Sequence, residues 1–589
     1  MRYAVDPRQK RLFDPAGSMF SPMTLKVLRG DWPGLFRTQM LHLMPARELA
    51  EHFHPCLGCP TKELYGMAGV LFLKEFFDLT IDEAVERYLT DAAWQYALNV
   101  NPMEASLSHA TIERYTKLFA EDDLAADVFH RVTSALVETL ELDVSRQRLD
   151  STHIFSDMAT FGRTKLMGVA IKRFLTQLKR HGRPLYDALP EDLRSRYATS
   201  QGKLFADFKG ERRALRQTVA EDLLALVRQF AGDESVASRS SYKAMKRILE
   251  EQCDVAEEQV QLKDKPGGHV MQNPSDPDAG YDGHKGPGHQ VQLAETCAEG
   301  NDVQLITGVI PEPADHTDSE AVEPMLDQLG AHGRTPEILY ADTHYGSDEN
   351  VTLAAERGVD LQSPVSGTAK HAPDALTVDD FVIDEASETV ERCPNGCEPA
   401  SSAHDAATGV TTTVMRPSDC HGCDFASQCP ARNVHGRIVL RHTAKQRRLA
   451  ARRAEQATDA FRDNYAIRGG GESVNSGLKR KMGMGRLRVR GSPHVRMAVL
   501  LRCAGWNVLR ALRALKKRGI GDFVAVFARF WRTVTTPWGR QCPEGPSGGS
   551  HHRAPCPNRA SSSYICRLSS AILRAASSLP YAGPWGVRG

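Results

Sequence analysis

The sequence predicts an α/β protein with a mixed sheet, and three observations support that prediction. Between Arg146 and Val365, short apolar strand patterns alternate with helical patterns, an order typical of α/β domains. A helical region precedes this section, and a cysteine-rich segment interrupts its continuation. The charge is also polarised. Residues 432–518 hold 23 lysines and arginines against four acidic residues, although the 589-residue chain has a net charge of only +1. A segment this basic attracts a polyanion such as DNA.

Composition excludes several classes of protein. A hydrophobic content of 41% and a charged content of 25% are ordinary for a soluble globular chain. No apolar run reaches the roughly 18 residues that a membrane span needs, and the first residues lack the apolar core of a signal peptide. We therefore expect a cytoplasmic protein that makes no use of a membrane. Thirteen cysteines, an odd number, do not indicate a disulfide framework.

The first 125 residues are predicted to form an irregular arm and then a helical domain. Residues 1–34 are punctuated by Pro and Gly, and helical patterns run from about residue 35 to residue 125. A capping box, Thr80 to Glu83, predicts the start of one helix. A compact helical domain is the plainer interpretation, and a helix-turn-helix that reads DNA is the sharper one. The lone pair Cys56-x2-Cys59 is more often incidental than a pair of metal ligands.

Residues 140–365 carry the predicted sheet, with a long helical insertion at 165–260. The stretch RQRLDSTHIF predicts a strand that contains Asp150, and a buried carboxylate needs a partner or a metal. Further strands are predicted at 290–296, 303–309, 337–341 and 360–365, and helices at 319–329, with Asp318 as cap, and at 348–356. Asp342 follows the third of these strands. Sites in open α/β sheets gather at the carboxyl ends of strands, so Asp342 is a candidate site residue.

A predicted insertion at 366–431 contains five cysteines: Cys393, Cys397, Cys420, Cys423 and Cys429. The first two and the next two are spaced like the paired ligands of a structural zinc site. A loop with free thiols is the alternative, and five candidates leave the four ligands undetermined. Residues 432–532 are predicted to complete the α/β core, including an amphipathic helix near 495–509. Residues 533–589 are rich in Pro, Gly, Ser and Arg, and we expect them to be disordered.

Three short motifs link the candidate acids to a known family. They are LDSTH at Asp150, YADTHYG at Asp342, and a block with Tyr465, Arg468, Glu472 and Lys479 in the spacing Tyr-x2-Arg-x3-Glu-x6-Lys. With these motifs the chain resembles the DDE-type transposases of bacterial insertion sequences over about residues 35–530. The complete spacing is the signature of one large group of these enzymes. The resemblance implies an RNase H-like catalytic core and an N-terminal domain that binds the transposon ends.

The resemblance also implies a chemistry. Asp150, Asp342 and Glu472 would hold two Mg²⁺ or Mn²⁺ ions for DNA cleavage and strand transfer. Tyr465, Arg468 and Lys479 would contact the DNA. A homodimer would hold the two transposon ends together, and the DNA-bound protein would be associated with the nucleoid. The alternative is a catalytically inactive DNA-binding or regulatory protein derived from a transposase.

Three glycines, Gly469 to Gly471, come directly before Glu472 and depart from the family pattern. Each glycine disfavours a helix by about 1 kcal/mol. The helix that carries Glu472 should therefore begin close to it.

Overall fold

The computed structural model describes residues 1–9, 14, 18–198, 204–205, 210–256, 259–366, 376–384 and 386–523. The predicted disordered tail, 533–589, lies outside these residues. The α-helices are α1 (Pro22–Arg29), α2 (Trp32–Leu35), α3 (Ala46–Ala50), α4 (Leu64–Phe76), α5 (Ile81–Thr90), α6 (Ala92–Ala97), α7 (His109–Glu121), α8 (Leu124–Leu140), α9 (Arg163–His181), α10 (Arg183–Asp187), α11 (Glu191–Tyr197), α12 (Arg212–Gln229), α13 (Glu234–Ala237), α14 (Ser240–Gln252), α15 (Val322–Ala331), α16 (Asp348–Glu356), α17 (Pro417–Cys420), α18 (Ala444–Gln456), α19 (Asp459–Tyr465), α20 (Gly471–Lys481) and α21 (Ser492–Lys517).

The strands are β1 (Arg146–Ile154), β2 (Cys253–Ala256), β3 (Gln259–Leu262), β4 (Gly280–Asp282), β5 (Gly286–Thr296), β6 (Ile306–Pro313), β7 (Ile338–Tyr340), β8 (Asp360–Gln362), β9 (Val382–Ile383), β10 (Val390–Arg392), β11 (Ser401–Asp405), β12 (Val410–Met415), β13 (Arg432–Val434) and β14 (Arg437–Thr443).

The central sheet is mixed, as predicted. Its strands lie in the order β6-β5-β1-β7-β8, and β4 pairs with the first residues of β5. Strand β5 is antiparallel to both β1 and β6, whereas β7 is parallel to β1 and β8 is parallel to β7. The long pairing of β1 with β5 places Asp150 opposite Leu293, in the middle of the sheet.

Of the two helix caps predicted from the sequence, the structure confirms one and contradicts the other. At α5 the Thr80 hydroxyl accepts a hydrogen bond from the Glu83 amide, and the Glu83 carboxylate accepts one from the Thr80 amide, so the predicted capping box is confirmed. The predicted cap Asp318 is wrong. Thr317 forms a capping box with Glu320 at a short 3-10 turn, and α15 begins only after that turn. Thr317 is the cap because its backbone is still extended, which lets its hydroxyl accept a hydrogen bond from the first turn.

The N-terminal helices share one hydrophobic core with the C-terminal helix α21. Phe72 of α4, Phe129 of α8 and Leu501 of α21 belong to the same buried cluster. Helix α21 packs along α8 and α4 and also contacts β6, so the predicted amphipathic helix does pack on the sheet. The helical region at 35–125 is therefore continuous with the core and not separately packed. Residues 1–34, predicted to be irregular, include α1 and the first three residues of α2.

The helical insertion has a core of its own. Helices α9 to α14 bury Phe174, Leu223 and Ile248 against one another, and the hairpin β2-β3 ends the insertion.

The cysteine-rich insertion contains a four-stranded sheet in the order β11-β12-β14-β13. That sheet runs to Thr443 and so extends past the predicted boundary at residue 431, because β13 and β14 supply two of its strands. Within the described residues, no helix has both the length and the apolar character needed to cross a membrane.

Candidate active site

The strand register brings two of the predicted acids side by side. In the parallel pairing of β1 with β7, Arg148 lies opposite Tyr340. Two residues further along each chain come Asp150 and Asp342. Neighbouring strands are about 4.8 Å apart, so Asp150 on β1 and Asp342, just beyond the end of β7, lie near each other.

Arg468 lies between these two carboxylates. Its Nη2 atom is 3.4 Å from an oxygen of Asp150 and 3.5 Å from an oxygen of Asp342. The side chains are partly open to solvent, with exposed fractions of 25% for Arg468, 22% for Asp150 and 29% for Asp342. A single guanidinium group therefore neutralises part of the charge of the acid pair.

Helix α20 brings Glu472 to the same place. The predicted start close to Glu472 is confirmed, because α20 begins at Gly471 after a 3-10 turn at Ala466–Gly470. A Cβ atom on Gly471 would lie 3.5 Å from an Asp150 oxygen, and the Asn475 amide donates a hydrogen bond of 3.1 Å to the same carboxylate.

Glu472 itself is exposed and, within the described residues, makes no hydrogen bond or ion pair. It lies three residues before Asn475 on α20, and Arg468 lies in the 3-10 turn that precedes this helix. Both of those neighbours touch Asp150. The structure therefore brings Asp150 and Asp342 together and packs the first turns of α20, the helix that carries Glu472, against Asp150, while the Glu472 side chain itself is exposed.

The segment before α20 is anchored to the sheet at two points. The Tyr465 hydroxyl donates a hydrogen bond of 2.9 Å to the Ala341 carbonyl, directly before Asp342. Arg148 donates one of 3.0 Å to the Ile467 carbonyl and forms a buried ion pair with Glu295. Tyr465 and Arg468, predicted as DNA contacts, thus make internal contacts here that position the acid pair.

Burial and like charge act together on Asp150. Burial raises the pKa of Asp150, and the neighbouring charge of Asp342 acts in the same direction, while Arg468 opposes both. The net pKa lies above the usual range. A carboxylate in this position gains by binding a further cation, because a cation favours its ionised form.

Lys479 lies two helical turns beyond Glu472, near the end of α20. Burial and the nearby charge of Lys285, in the turn before β5, lower the pKa of Lys479. Two like charges that act on each other in this way favour the binding of an anion nearby.

The five cysteines predicted as zinc ligands converge on one small cavity. Cys393, Cys397, Cys420, Cys423 and Cys429 all line a cavity of about 30 Å³. Burial and the thiols of Cys429, Cys393 and Cys423 raise the pKa of Cys420. Throughout the part of the chain that the structure describes, however, no three His, Cys, Asp or Glu side chains are already arranged to hold a metal ion. Both predicted metal sites would need side chains to rotate.

Two residues of this site were missed by sequence reasoning. Arg148 is two positions before Asp150 on β1 and so shares its face of the sheet, a period-2 pattern visible in the sequence. Asn475 is three positions after Glu472 on α20, within reach of the helix neighbours that period predicts. Their partners, Ile467 and Asp150, could not be found in this way, since they lie about 320 residues away along the chain.

Part of the chain that forms this site matches a known protein family. Residues 392–512 match the family model of a transposase DDE domain. The predicted resemblance to DDE transposases is thereby confirmed for this part of the chain, which holds Glu472 and Arg468; the bacterial insertion-sequence origin stays a prediction.

No curated protein matches the chain in sequence. Among solved structures, a piggyBac transposase in a synaptic complex with hairpin DNA matches over 97% of this chain and 87% of its own, with 8% sequence identity and a TM-score of 0.27. A likeness that low supports no argument about fold or function.

Proposed function

We propose that this protein is a transposase that cuts and joins DNA at the site formed by Asp150, Asp342 and Glu472. One observation carries the proposal. Asp150 on β1 and Asp342, two residues after the parallel strand β7, share Arg468, and the helix that carries Glu472 packs against Asp150 within the matched transposase DDE domain. Carboxylates brought from distant parts of the chain to one edge of a sheet are suited to phosphoryl transfer.

The topology supports an RNase H-like catalytic core. Three antiparallel strands, β6, β5 and β1, continue into the parallel strands β7 and β8. Asp150 comes from the central strand and Asp342 follows its parallel neighbour. This is the arrangement that the resemblance to DDE transposases implies.

The donor set suits a divalent cation. Carboxylate oxygens are the ligands that Mg²⁺ and Mn²⁺ prefer, and Mg²⁺ commonly takes one or two carboxylates together with water and substrate phosphate. Asp150 and Asp342 already share a cation, the Arg468 guanidinium, and Glu472 has a free carboxylate nearby. When bound, such ions would stabilise the attacking and leaving oxygens of the phosphodiester. Asp150, Asp342 and Glu472 would hold them.

The basic segment would hold the DNA. Lys479 on α20 and Lys285, whose charge acts on it, would bind backbone phosphates of the DNA. Helix α18 carries further arginines, and none of its residues is fully buried. Two DNA ends must be held at once, so we also propose a homodimer in the DNA-bound state.

Nicking of a supercoiled plasmid in Mn²⁺ tests the proposal. The wild-type protein should convert the plasmid to open-circular and linear forms, and Asp150→Asn should reduce the rate by at least about a hundredfold. The matched control is Asp463→Asn, an exposed acid in the same basic segment, which should nick at the wild-type rate. Binding of a DNA duplex, measured by gel shift, should survive both substitutions.

A wild-type protein that binds DNA and does not nick in Mn²⁺ or Mg²⁺ would instead favour an inactive DNA-binding protein derived from a transposase. Equal nicking by the wild type and by Asp150→Asn would point to a contaminating nuclease and refute the assigned site.

We also propose a structural zinc site in the cysteine-rich insertion. Five thiols from two separate stretches of chain meet at one cavity, and four thiolates are a complete ligand set for Zn²⁺. Purified protein should contain zinc, and the double variant Cys420→Ser/Cys423→Ser, which leaves only three of the five thiols, should lose it, whereas Cys56→Ser in the exposed N-terminal pair should not. Zinc-free protein that melts at the same temperature with and without added Zn²⁺ would refute this site.

A further inference from the structure

Arg468 is held more loosely than its position between two acids suggests. Its Nη2 atom is shared between Asp150 and Asp342 at 3.4 and 3.5 Å. Charge-assisted hydrogen bonds of this type are usually about 2.7–2.9 Å long. Its Nε atom is buried and has no partner within the described residues. The contact is electrostatic, and neither carboxylate receives the paired bonds that a guanidinium can donate.

The position of this guanidinium is also the position that a cation between the two acids would take. One nitrogen of Arg468 lies within 3.5 Å of a carboxylate oxygen of both Asp150 and Asp342. A divalent cation has twice the charge of arginine and would approach each oxygen more closely, at about 2.1 Å for Mg²⁺. The two cations cannot occupy the space together.

We propose that Arg468 is an internal counterion that stabilises the metal-free acid pair and must leave before a divalent cation can bind between Asp150 and Asp342. The inference rests on the proposed function, because it assumes that this pair binds a divalent cation. Arg468 acts as a gate on metal loading. DNA favours opening of the gate, since a backbone phosphate offers the released guanidinium a better partner than two shared carboxylates.

Glu472 is placed to complete the exchange. It lies four residues after Arg468, in the first turn of α20, and its side chain is exposed and makes no hydrogen bond or ion pair within the described residues. When Arg468 moves away from the acid pair, Glu472 would supply an anion to the incoming metal from the start of this helix. Tyr465 and Arg148 hold the backbone of the segment before the helix on the sheet.

Mn²⁺ binding to the full-length protein without DNA tests the proposal by titration calorimetry or by electron paramagnetic resonance. Arg468→Ala should bind Mn²⁺ at least about tenfold more tightly than the wild type, because a competing charge has been removed from the site. Arg468→Lys, which keeps a charge on a more flexible stem, should fall between the two. Arg462→Ala is the matched control. Arg462 is exposed and pairs with Asp459 within α19, the helix before α20. Its removal should leave the affinity for Mn²⁺ unchanged.

Asp342→Asn identifies the bound ion and separates the two possible failures. Loss of the measured Mn²⁺ binding in this variant places the ion at the acid pair. If binding is lost there and yet Arg468→Ala binds no more tightly than the wild type, the counterion proposal is refuted while the proposed function stands. If Asp342→Asn binds Mn²⁺ like the wild type, the metal site of the proposed function fails, and the counterion proposal fails with it. Circular dichroism on each variant shows that the fold is kept.

Discussion

Two arginines in this protein each bridge a pair of carboxylates, and they do so in opposite surroundings. In the open cluster, Arg468 contacts Asp150 and Asp342 at 3.4 and 3.5 Å, with exposed fractions between 22% and 29%. In the sealed cluster, Arg502 contacts Glu75 and Asp78 at 3.0 and 2.8 Å, and the side chains of Arg502 and Glu75 are both only 2% exposed.

The difference separates a structural ion pair from a replaceable one. Arg502 also donates a hydrogen bond of 2.7 Å to the Met482 carbonyl, directly after α20, so it ties α21 to α4 and to the end of the helix that carries Glu472. Burial alone would raise the pKa of Glu75, but the charges of Lys74 and Arg502 outweigh it and hold that pKa below its usual range. For Asp150 the balance goes the other way, because one loosely placed arginine must serve two acids.

Removal of Arg502, the arginine of the sealed cluster, should have the largest effect on stability. Arg502→Ala removes one of the two cations that pair with the buried Glu75, the other being Lys74, and also the bonds to Asp78 and Met482, so we expect a loss of about 3–5 kcal/mol in the free energy of unfolding. Urea unfolding followed by circular dichroism measures it, with Arg513→Ala, an exposed arginine on the same helix, as the control. A loss below about 1 kcal/mol would show that the sealed cluster is not what joins α21 to α4.

The anchor of the open cluster can be tested at the glycines before Glu472. A Cβ atom on Gly470 would lie 2.0 Å from Nη1 of Arg148, which is held in place by Glu295 and the Ile467 carbonyl, whereas a Cβ atom on Gly469 meets nothing within 4 Å. Gly470→Ala should therefore cost about 1–3 kcal/mol of stability. Gly469→Ala should be neutral, or stabilising by up to about 1 kcal/mol. Equal melting temperatures for the two variants would contradict the Arg148 anchor.

Removal of Arg468, in the open cluster, should change stability far less than removal of Arg502, in the sealed cluster. Partly exposed ion pairs contribute about 0–1 kcal/mol, so Arg468→Ala should unfold within about 1 kcal/mol of the wild type. The same urea titration that detects the Arg502→Ala effect measures it. A loss as large as that of Arg502→Ala would mean that both arginines are structural.

The pH dependence of stability should sharpen the contrast between the two acids. The pKa of Asp150 is raised in the folded protein, so its stabilising contribution is present below the unfolded value of 3.8 and is lost as pH rises through the folded value. Asp150→Asn should thus melt no lower than the wild type at pH 7, and any gain should vanish near pH 3, where the wild-type carboxyl is protonated too. Melting curves of metal-free protein between pH 3 and pH 7 measure this. A melting temperature for Asp150→Asn that is lower at pH 7 and equal at pH 3 would show that the charged form is the favoured one.

Local patterns predicted much of the sheet. Strand β1 and helix α16 appear where the sequence placed them, because β-branched residues, caps and periodicity act over a few residues. Boundaries that depend on pairing were less accurate. Strand β5 begins four residues before its predicted start, since Gly286 to Gly288 pair with β4, and no local pattern indicates that partner. The shared core of the N-terminal helices and α21 was likewise out of reach, because it joins the two ends of the described chain.

By itself the sequence determined which residues could do chemistry: the two aspartates at strands, the glutamate at the start of a helix, the clustered cysteines and the basic segment around them. Only the tertiary structure decided which arginine faces which acid. Arg468 and Asp150 are 318 residues apart, and they meet because the register of β1 with β7 and the packing of α20 against the sheet bring them together. Charges interact through space, so their partners follow from the fold and not from their spacing along the chain.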